Sequence, residues 1–394
     1  MSSPEEFGSY LVYEQLGVGG MATVHVAESR GLRKRVALKR LLPKAAEDPD
    51  TVQSFIREAR LVGHLRHANI AQTYDFGKVG DTYFIAMELV LGPTLSQLIR
   101  QCRATVGIVP FPITLNILIQ VCDALDYAHN LTDEQGTPLG LIHRDVSPPN
   151  IIVSNTGLVK LIDFGVAKLA RSSSLHTQVG TVKGKFSYMA PEYLGGQLDA
   201  RADLWAPGVV AHELLANRML FDADDDLRVI DKVKHDTIAP PSRYNHDVPR
   251  DLDAVVMTAL ERTPERRWQT AAAMRTALVN VAKELQTVVT NAQVLEWIEW
   301  AFMQKPGEEK SGVSQLILLL EQPSRPAAKL QKTAQKAQKA QTRRVGSAMV
   351  ERRAGPSSTL LWLLVLALAA ATAAAVYRYG VPREVTQPVN VHRP

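Results

Sequence analysis

Between residues 10 and 90 apolar and polar positions alternate in short runs. LVYEQLGVGG (11–20) and TVHVAES (23–29) read as a strand, a glycine-rich turn and a strand. RVALKRLL (35–42) is a third strand, rich in β-branched and aliphatic residues. The period then changes. In TVQSFIREARLVGHL (51–65) the apolar side chains Val52, Phe55, Ile56, Ala59, Leu61 and Val62 recur at spacings of three and four, which predicts a helix. DTYFIAMELV (81–90) returns to strand. From about residue 94 to about 285 the pattern is mostly helical. ITLNILIQVCDALDYAHN (113–130) is one long buried helix, and a second ends in DLWAPGVVAHELLA (203–216). The expectation is α+β: a β-rich lobe (10–90) followed by a larger helical lobe (91–282).

The later chain has a different texture. Residues 287–322 are amphipathic (VLEWIEWAFM, SQLILLLEQ) and read as a helical extension. Residues 323–358 form a basic linker of Ala, Gln and Lys without a core-forming face. Leu360–Val376 is uncharged and nearly all apolar. At helical rise it spans about 26 Å, and with its flanks (359–379) it reaches the roughly 30 Å of a bilayer core. A buried core helix is the competing reading, but only the short, mostly non-hydrophobic stretch 380–394 follows it to pack against. The positive charge before the span puts the bulk of the chain in the cytoplasm and the short tail outside. The basic run reads equally well as a contact for anionic lipid or as a solvated linker that fixes topology.

The chain has 394 residues, 46% hydrophobic and 22% charged, with net charge +5. That charge is uneven: residues 325–394 carry about +10, leaving about −5 on the rest. The basicity belongs to the appendage, so no nucleic-acid partner is expected. Cys102 and Cys122 are the only cysteines, and reduced thiols without a disulfide framework are expected. The N-terminus MSSPEEFGSY lacks the basic and apolar regions of a signal peptide.

Several motifs handle phosphate. LGVGGMATV (16–24) follows GxGxxGxV with Ala22 in place of the third glycine, and glycines let backbone amides approach phosphate oxygens. A gly-rich hairpin turn explains it too. It lies between two strands rather than opening a helix, so a dinucleotide-binding fold is not indicated. VALK (36–39) follows, with Lys39 able to reach phosphates, and Glu58 lies mid-helix where it could hold Lys39. HRDVSPPN (143–150), IDFGVAK (162–168) and APE (190–192) then arrive in order. Each short match is common, but the ordered set is specific.

With these motifs, residues 10–282 resemble a protein kinase domain, most like the bacterial "eukaryotic-like" Ser/Thr kinases with a C-terminal membrane anchor. The resemblance implies a bilobal protein-kinase fold and transfer of the γ-phosphate of ATP to Ser/Thr hydroxyls of proteins. It assigns Asp145 to the hydroxyl proton, Asn150 and Asp163 to Mg²⁺ (Mn²⁺ as an alternative), and Lys39 with Glu58 to placing ATP. Leu16, Gly17, Val18, Gly19, Gly20, Met21, Ala22, Thr23 and Val24 would cover the nucleotide. Ala37 and Ile152 would be further adenine walls, Met87 the back of the pocket, and backbone groups of Glu88 and Val90 the adenine hydrogen bonds. Asp203 would brace the catalytic loop, and Glu192 would pair with Arg267. Pro207 could kink its helix. With the apolar span, the resemblance places a single-pass protein in a bacterial inner (cell) membrane, with protein substrates, the lipid bilayer and a homodimer as partners.

Two positions depart from the family pattern. The catalytic-loop Lys of HRDLKxxN is replaced by Ser147, and in GKFSYMAPE (184–192) Lys185 stands where the family has Thr. The expectation is that Lys185 supplies the missing cation at the γ-phosphate. These positions mark Ser/Thr specificity, so Tyr acceptance stays open. Arg144 and the hydroxyls of Ser172, Ser173, Ser174, Thr177 and Thr181 suggest activation-loop autophosphorylation, Thr181 standing where many kinases carry the primary site. The competing reading is a pseudokinase scaffold that binds nucleotide at the membrane.

Overall fold

A computed structural model describes residues 4–164, 185–195 and 198–306, with side chains at 185 and 194–195 excepted. All of them belong to one unit, residues 1–323. The basic linker, the apolar span at 359–379, the tail and the proposed phosphosites Ser172–Ser174, Thr177 and Thr181 lie outside the described residues. Among the described residues no helix is long and apolar enough to cross a membrane.

The N-terminal lobe is a six-stranded antiparallel sheet. Its strands are β1 (Glu5–Phe7), β2 (Tyr10–Val18), β3 (Ala22–Ser29), β4 (Lys34–Leu41), β5 (Thr73–Val79) and β6 (Thr82–Glu88). They are ordered β1-β2-β3-β4-β6-β5. Two strands were not expected. β1 has two exposed acidic residues and no alternation, and its Glu5 and Glu6 are held by Arg40 and Arg30. β5 is interrupted by Gly77 and exposes Phe76, which hides its period in the sequence.

β4 shows why VALK reads as it does. Side chains alternate across a strand, so Val36 and Leu38 enter a core with Tyr10 and Phe84 while Ala37 and Lys39 share the other face. Helix α1 (Pro43–Ala46) leads into α2 (Pro49–Val62). The Asp48 carboxylate caps α2 by accepting from the Asp50 N–H, and Gly63 ends it. Its inward stripe contains Thr51, Phe55, Glu58 and Ala59, so a carboxylate sits among apolar neighbours.

The C-terminal lobe is helical, with α3 (Leu95–Ala104), α4 (Phe111–His129), α5 (Ala202–Ala216), α6 (Asp226–His235), α7 (Arg250–Ala259), α8 (Ala271–Glu284) and α9 (Asn291–Met303). A short hairpin, β7 (Ile151–Val153) with β8 (Val159–Leu161), lies between α4 and α5 in sequence. α5 is buried along its whole length and runs through Pro207 to Ala216. Cys102 and Cys122 are free and buried, and burial pushes both thiols up to about 12, so they stay protonated.

Candidate active site

β4 and α2 bring Lys39 and Glu58 together. The Lys39 ammonium donates to Glu58 Oε1 at 3.0 Å and to Asp163 Oδ1 at 2.8 Å. Burial works against the charge on Lys39, but the Asp163 and Glu58 carboxylates outweigh it and raise its pKa, so the ammonium persists. Burial raises the Glu58 carboxyl above its usual range, with Lys39 opposing. Asp163 is the more open carboxylate, at 34% side-chain exposure against 5% for Glu58. It is therefore the one able to take a second partner. Its backbone is left-handed (φ 56°), and the following Phe164 is buried with its ring 4.3 Å from that of His143. That packing keeps Asp163 turned inward.

The loop carrying Asp145 hangs from α5. Asp203 accepts from the backbone N–H groups of His143 (2.6 Å) and Arg144 (2.7 Å), and meets His129 Nε2 at 2.9 Å. Burial alone would raise Asp203, yet His129, His143 and the Arg144 N–H together hold it below its ordinary value. A buried carboxylate so well satisfied fixes the strained Arg144 backbone (φ 65°) that aims Asp145 into the cleft. Asn150 Nδ2 donates to the Asp145 carbonyl at 2.9 Å, which commits its amide and leaves Asn150 Oδ1 to act as a ligand.

A cleft of about 910 Å³ opens beside these groups. Leu16, Gly17, Val18, Gly19, Val24, Ala37, Met87, Glu88, Val90 and Ile152 line it, and so do Asp145, Asn150 and Asp163. A Cβ on Gly17 would meet open space, which is room for a bulky ligand under the glycine-rich turn. Carboxylate, amide oxygen and ammonium beside that space suit a nucleotide triphosphate and a hard divalent cation. Gly20, Met21, Ala22 and Thr23 are not among the residues bordering the cleft. Met21 instead packs on the cluster of Leu41, Phe55, Ala59 and Ile85, and Ala22 is buried opposite Leu41. Of the turn itself, Gly17, Val18 and Gly19 border the cleft. The Glu88 N–H already donates to the Gln72 carbonyl at 2.8 Å, so the carbonyl is what Glu88 can offer a base.

Ser147 also borders the cleft, with 3% exposure and its hydroxyl donating to the Asp145 carbonyl at 3.3 Å. It brings no cation. The Lys185 backbone forms a short 3₁₀ turn with Phe186, Ser187 and Tyr188, but its side chain lies outside the described residues. Glu192 and Arg267 form a two-pronged pair at 2.7 and 3.0 Å, with the guanidinium fully buried over Trp205.

Other residues of the site escaped the sequence reading. Lys160 on β8 binds Glu88 Oε2 at 2.8 Å, behind the adenine wall. The Tyr188 hydroxyl donates to Glu213, which also holds Arg103 at 2.8 Å. Only the alternation of β8 could have pointed to Lys160, and nothing local marks Glu213.

The family model described as protein kinase domain matches residues 10–279. The chain is 37% identical over 284 residues to the tyrosine-protein kinase MasK of Myxococcus xanthus, covering 71% of this chain and 44% of that one. It is 37% identical over 305 residues to the serine/threonine-protein kinase PknB of Mycobacterium tuberculosis, covering 74% and 47%. The match thus spans less than half the length of these relatives. Among solved structures, the PknI kinase domain of M. tuberculosis superposes with a TM-score of 0.55 at 28% identity, covering 72% of this chain and 99% of that one. The two-lobed fold, the Lys39–Glu58–Asp163 contact and the extent of the match together make this chain a member of the protein kinase family.

Proposed function

We propose that this chain is an ATP-dependent protein kinase acting on Ser/Thr hydroxyls. The observation that carries the reading is the Lys39 ammonium held between Glu58 and Asp163, with Asp163 on the border of the cleft that Asp145 and Asn150 also line. Lys39 positions the α- and β-phosphates, and Glu58 positions Lys39. Asn150 Oδ1 and Asp163 would hold the divalent cation, which when bound neutralises charge on the β- and γ-phosphates. Asp145 accepts or orients the proton of the incoming hydroxyl. The serine/threonine kinase relatives support this acceptor class. A scaffold without transfer would have no chemical use for a base and two metal ligands in one cleft.

A second acceptor is supported by two observations. A relative of equal identity is named a tyrosine-protein kinase, and Ser147 departs from the Ser/Thr pattern. The reading extends to anchoring by the apolar 359–379 span with the kinase domain in the cytoplasm of a bacterium, to dimerisation through that span, and to autophosphorylation at Thr177 or Thr181. The test is incubation of the chain with labelled ATP and Mg²⁺ beside Asp145→Asn, followed by phosphoamino-acid analysis. Phosphoserine or phosphothreonine from the wild type alone is expected. Phosphotyrosine alone would change the acceptor class, and no transfer would favour the scaffold.

A further inference from the structure

α9 begins after the stretch matched by the family model, yet it is built into the domain. Val294, Trp297, Ile298 and Ala301 are buried in the same core cluster as β7 and β8. Gly157, in the β7–β8 turn, lies so close to α9 that a Cβ there would stand 1.8 Å from the Asn291 carbonyl oxygen. Such contact alone would be packing. A chain of amide side chains makes it directional.

Asn291 Oδ1 accepts from Gln120 Nε2 at 3.2 Å and from Asn116 Nδ2 at 3.4 Å. Gln120 Oε1 in turn accepts from the Val159 N–H at 3.0 Å and from Asn69 Nδ2 at 2.9 Å. Asn69 Nδ2 also reaches the Val159 carbonyl at 2.8 Å, and the Asn69 carbonyl accepts from the Leu161 N–H at 2.8 Å. Ala71 N–H closes the ring on the Leu161 carbonyl at 2.9 Å. Asn69 is in the loop leaving α2, which carries Glu58. Leu161 is two residues before Asp163. The chain therefore touches the roots of both carboxylates that hold Lys39. An amide uses donor and acceptor at once, so Gln120 cannot serve Asn291 and β8 in any other orientation without losing one of them.

We infer that Asn291 and Gln120 are positioning residues for phosphoryl transfer, and that α9 is the brace through which the segment after the family domain sets the Lys39–Glu58–Asp163 geometry. They touch no reacting atom. They act by fixing β8 against the loop after α2, so that a tug on α9 loosens the two carboxylates together. The inference rests on the kinase reading only for its consequence in turnover. Its structural half stands apart from transfer.

The test uses the full chain with Asn291→Leu, which keeps bulk but removes the acceptor, and Asn291→Asp, which keeps it. Gln120→Glu is the second cut: it keeps the acceptor toward Val159 and Asn69 but loses the donor toward Asn291 Oδ1 and Asn116 Oδ1. Amide hydrogen exchange at Val159 and Leu161, the KM for ATP and the melting temperature are read together. Asn291→Leu and Gln120→Glu are expected to speed exchange at these amides about tenfold and raise the KM about fivefold, with α4 and α8 protected as in the wild type. Asn291→Asp is expected to behave as wild type. Unchanged exchange in both disrupted variants, a uniform rise across α4 and α8, or an Asn291→Asp no better than Asn291→Leu overturns the inference. If the wild type transfers no phosphate, the kinase reading fails while exchange still decides this one.

Discussion

Lys39 and Asp163 are 124 residues apart in sequence and 2.8 Å apart in space. The contact joins the β-sheet lobe to the segment that follows β8, and Glu58 shares the same ammonium from α2. Replacing Lys39 by Met keeps the length of the side chain and removes its charge. Glu58 and Asp163 then face each other with no cation between them. Turnover should fall by about a hundredfold or more, the scale of losing one preorganised charge at a reacting phosphate. Stability should fall by about 3 kcal/mol, the low end for an orphaned buried charge because Asp163 is partly exposed. Steady-state kinetics and urea unfolding check the two effects separately. Retained turnover would remove Lys39 from the site.

The Glu192–Arg267 pair is structural rather than chemical. Arg267 is wholly buried, forks onto both Glu192 oxygens and also donates to the Arg201 carbonyl at 2.8 Å. Arg267→Ala leaves Glu192 and that carbonyl without their donor, so a loss of roughly 3–5 kcal/mol is expected. Arg267→Lys should recover less than half of it, since an ammonium cannot reproduce the fork. Urea midpoints at matched slope test this. Full recovery by Lys would mean that charge alone matters.

Stability should also depend on pH near neutrality. Burial of His212 lowers its pKa below the ordinary 6.5, against the Ala239 carbonyl and Asp253, which favour the proton, and with Arg218, which opposes it. The unfolded chain therefore takes up a proton below pH 6.5 that the folded chain refuses. His212's contribution is complete above that pH and is lost as pH falls toward the lowered folded value. His25 and His67 shift in the same direction for the same first cause, burial. Unfolding midpoints measured from pH 7.5 to 5.5 should fall in the wild type and fall less steeply in His212→Gln. Parallel curves would show that His212 is not the source.

Much of this was legible in the sequence, for a physical reason. Strand alternation in VALK and the helical spacing around Glu58 are local patterns, and they fix which side of the element each residue takes. HRD and DFG place their side chains through short backbone segments, so Asp145, Asn150 and Asp163 fall together once the loop is closed. What stayed hidden depends on distant partners. Met21 and Ala22 turn inward because β3 pairs with β4 in a register the motif does not encode. Gln120 and Asn69 look like ordinary polar residues until α4 sets Gln120 between Asn69 and Asn291. β1 is a strand only because β2 offers it an edge.

The exchange of Ser147 and Lys185 leads to the last prediction. Ser147 is buried at the cleft wall and its hydroxyl is engaged with the Asp145 carbonyl, so this side of the loop brings no positive charge to the γ-phosphate. Charge builds on the transferring group, and a cation aimed at it in a closed site is worth several kcal/mol, on the order of 10²–10³ in rate. If Lys185 supplies it, Lys185→Thr should lower turnover about a hundredfold with little change in the KM for ATP, because the loss falls on the transition state. Adding Ser147→Lys to that variant should restore at least tenfold, since the new side chain can extend into the roughly 910 Å³ cleft that Ser147 borders. Ser147→Lys alone tests the converse: two cations at one site should repel and gain nothing. Kinetics of the four proteins against one peptide substrate form a complete cycle. A harmless Lys185→Thr would show that the γ-phosphate charge is met from elsewhere.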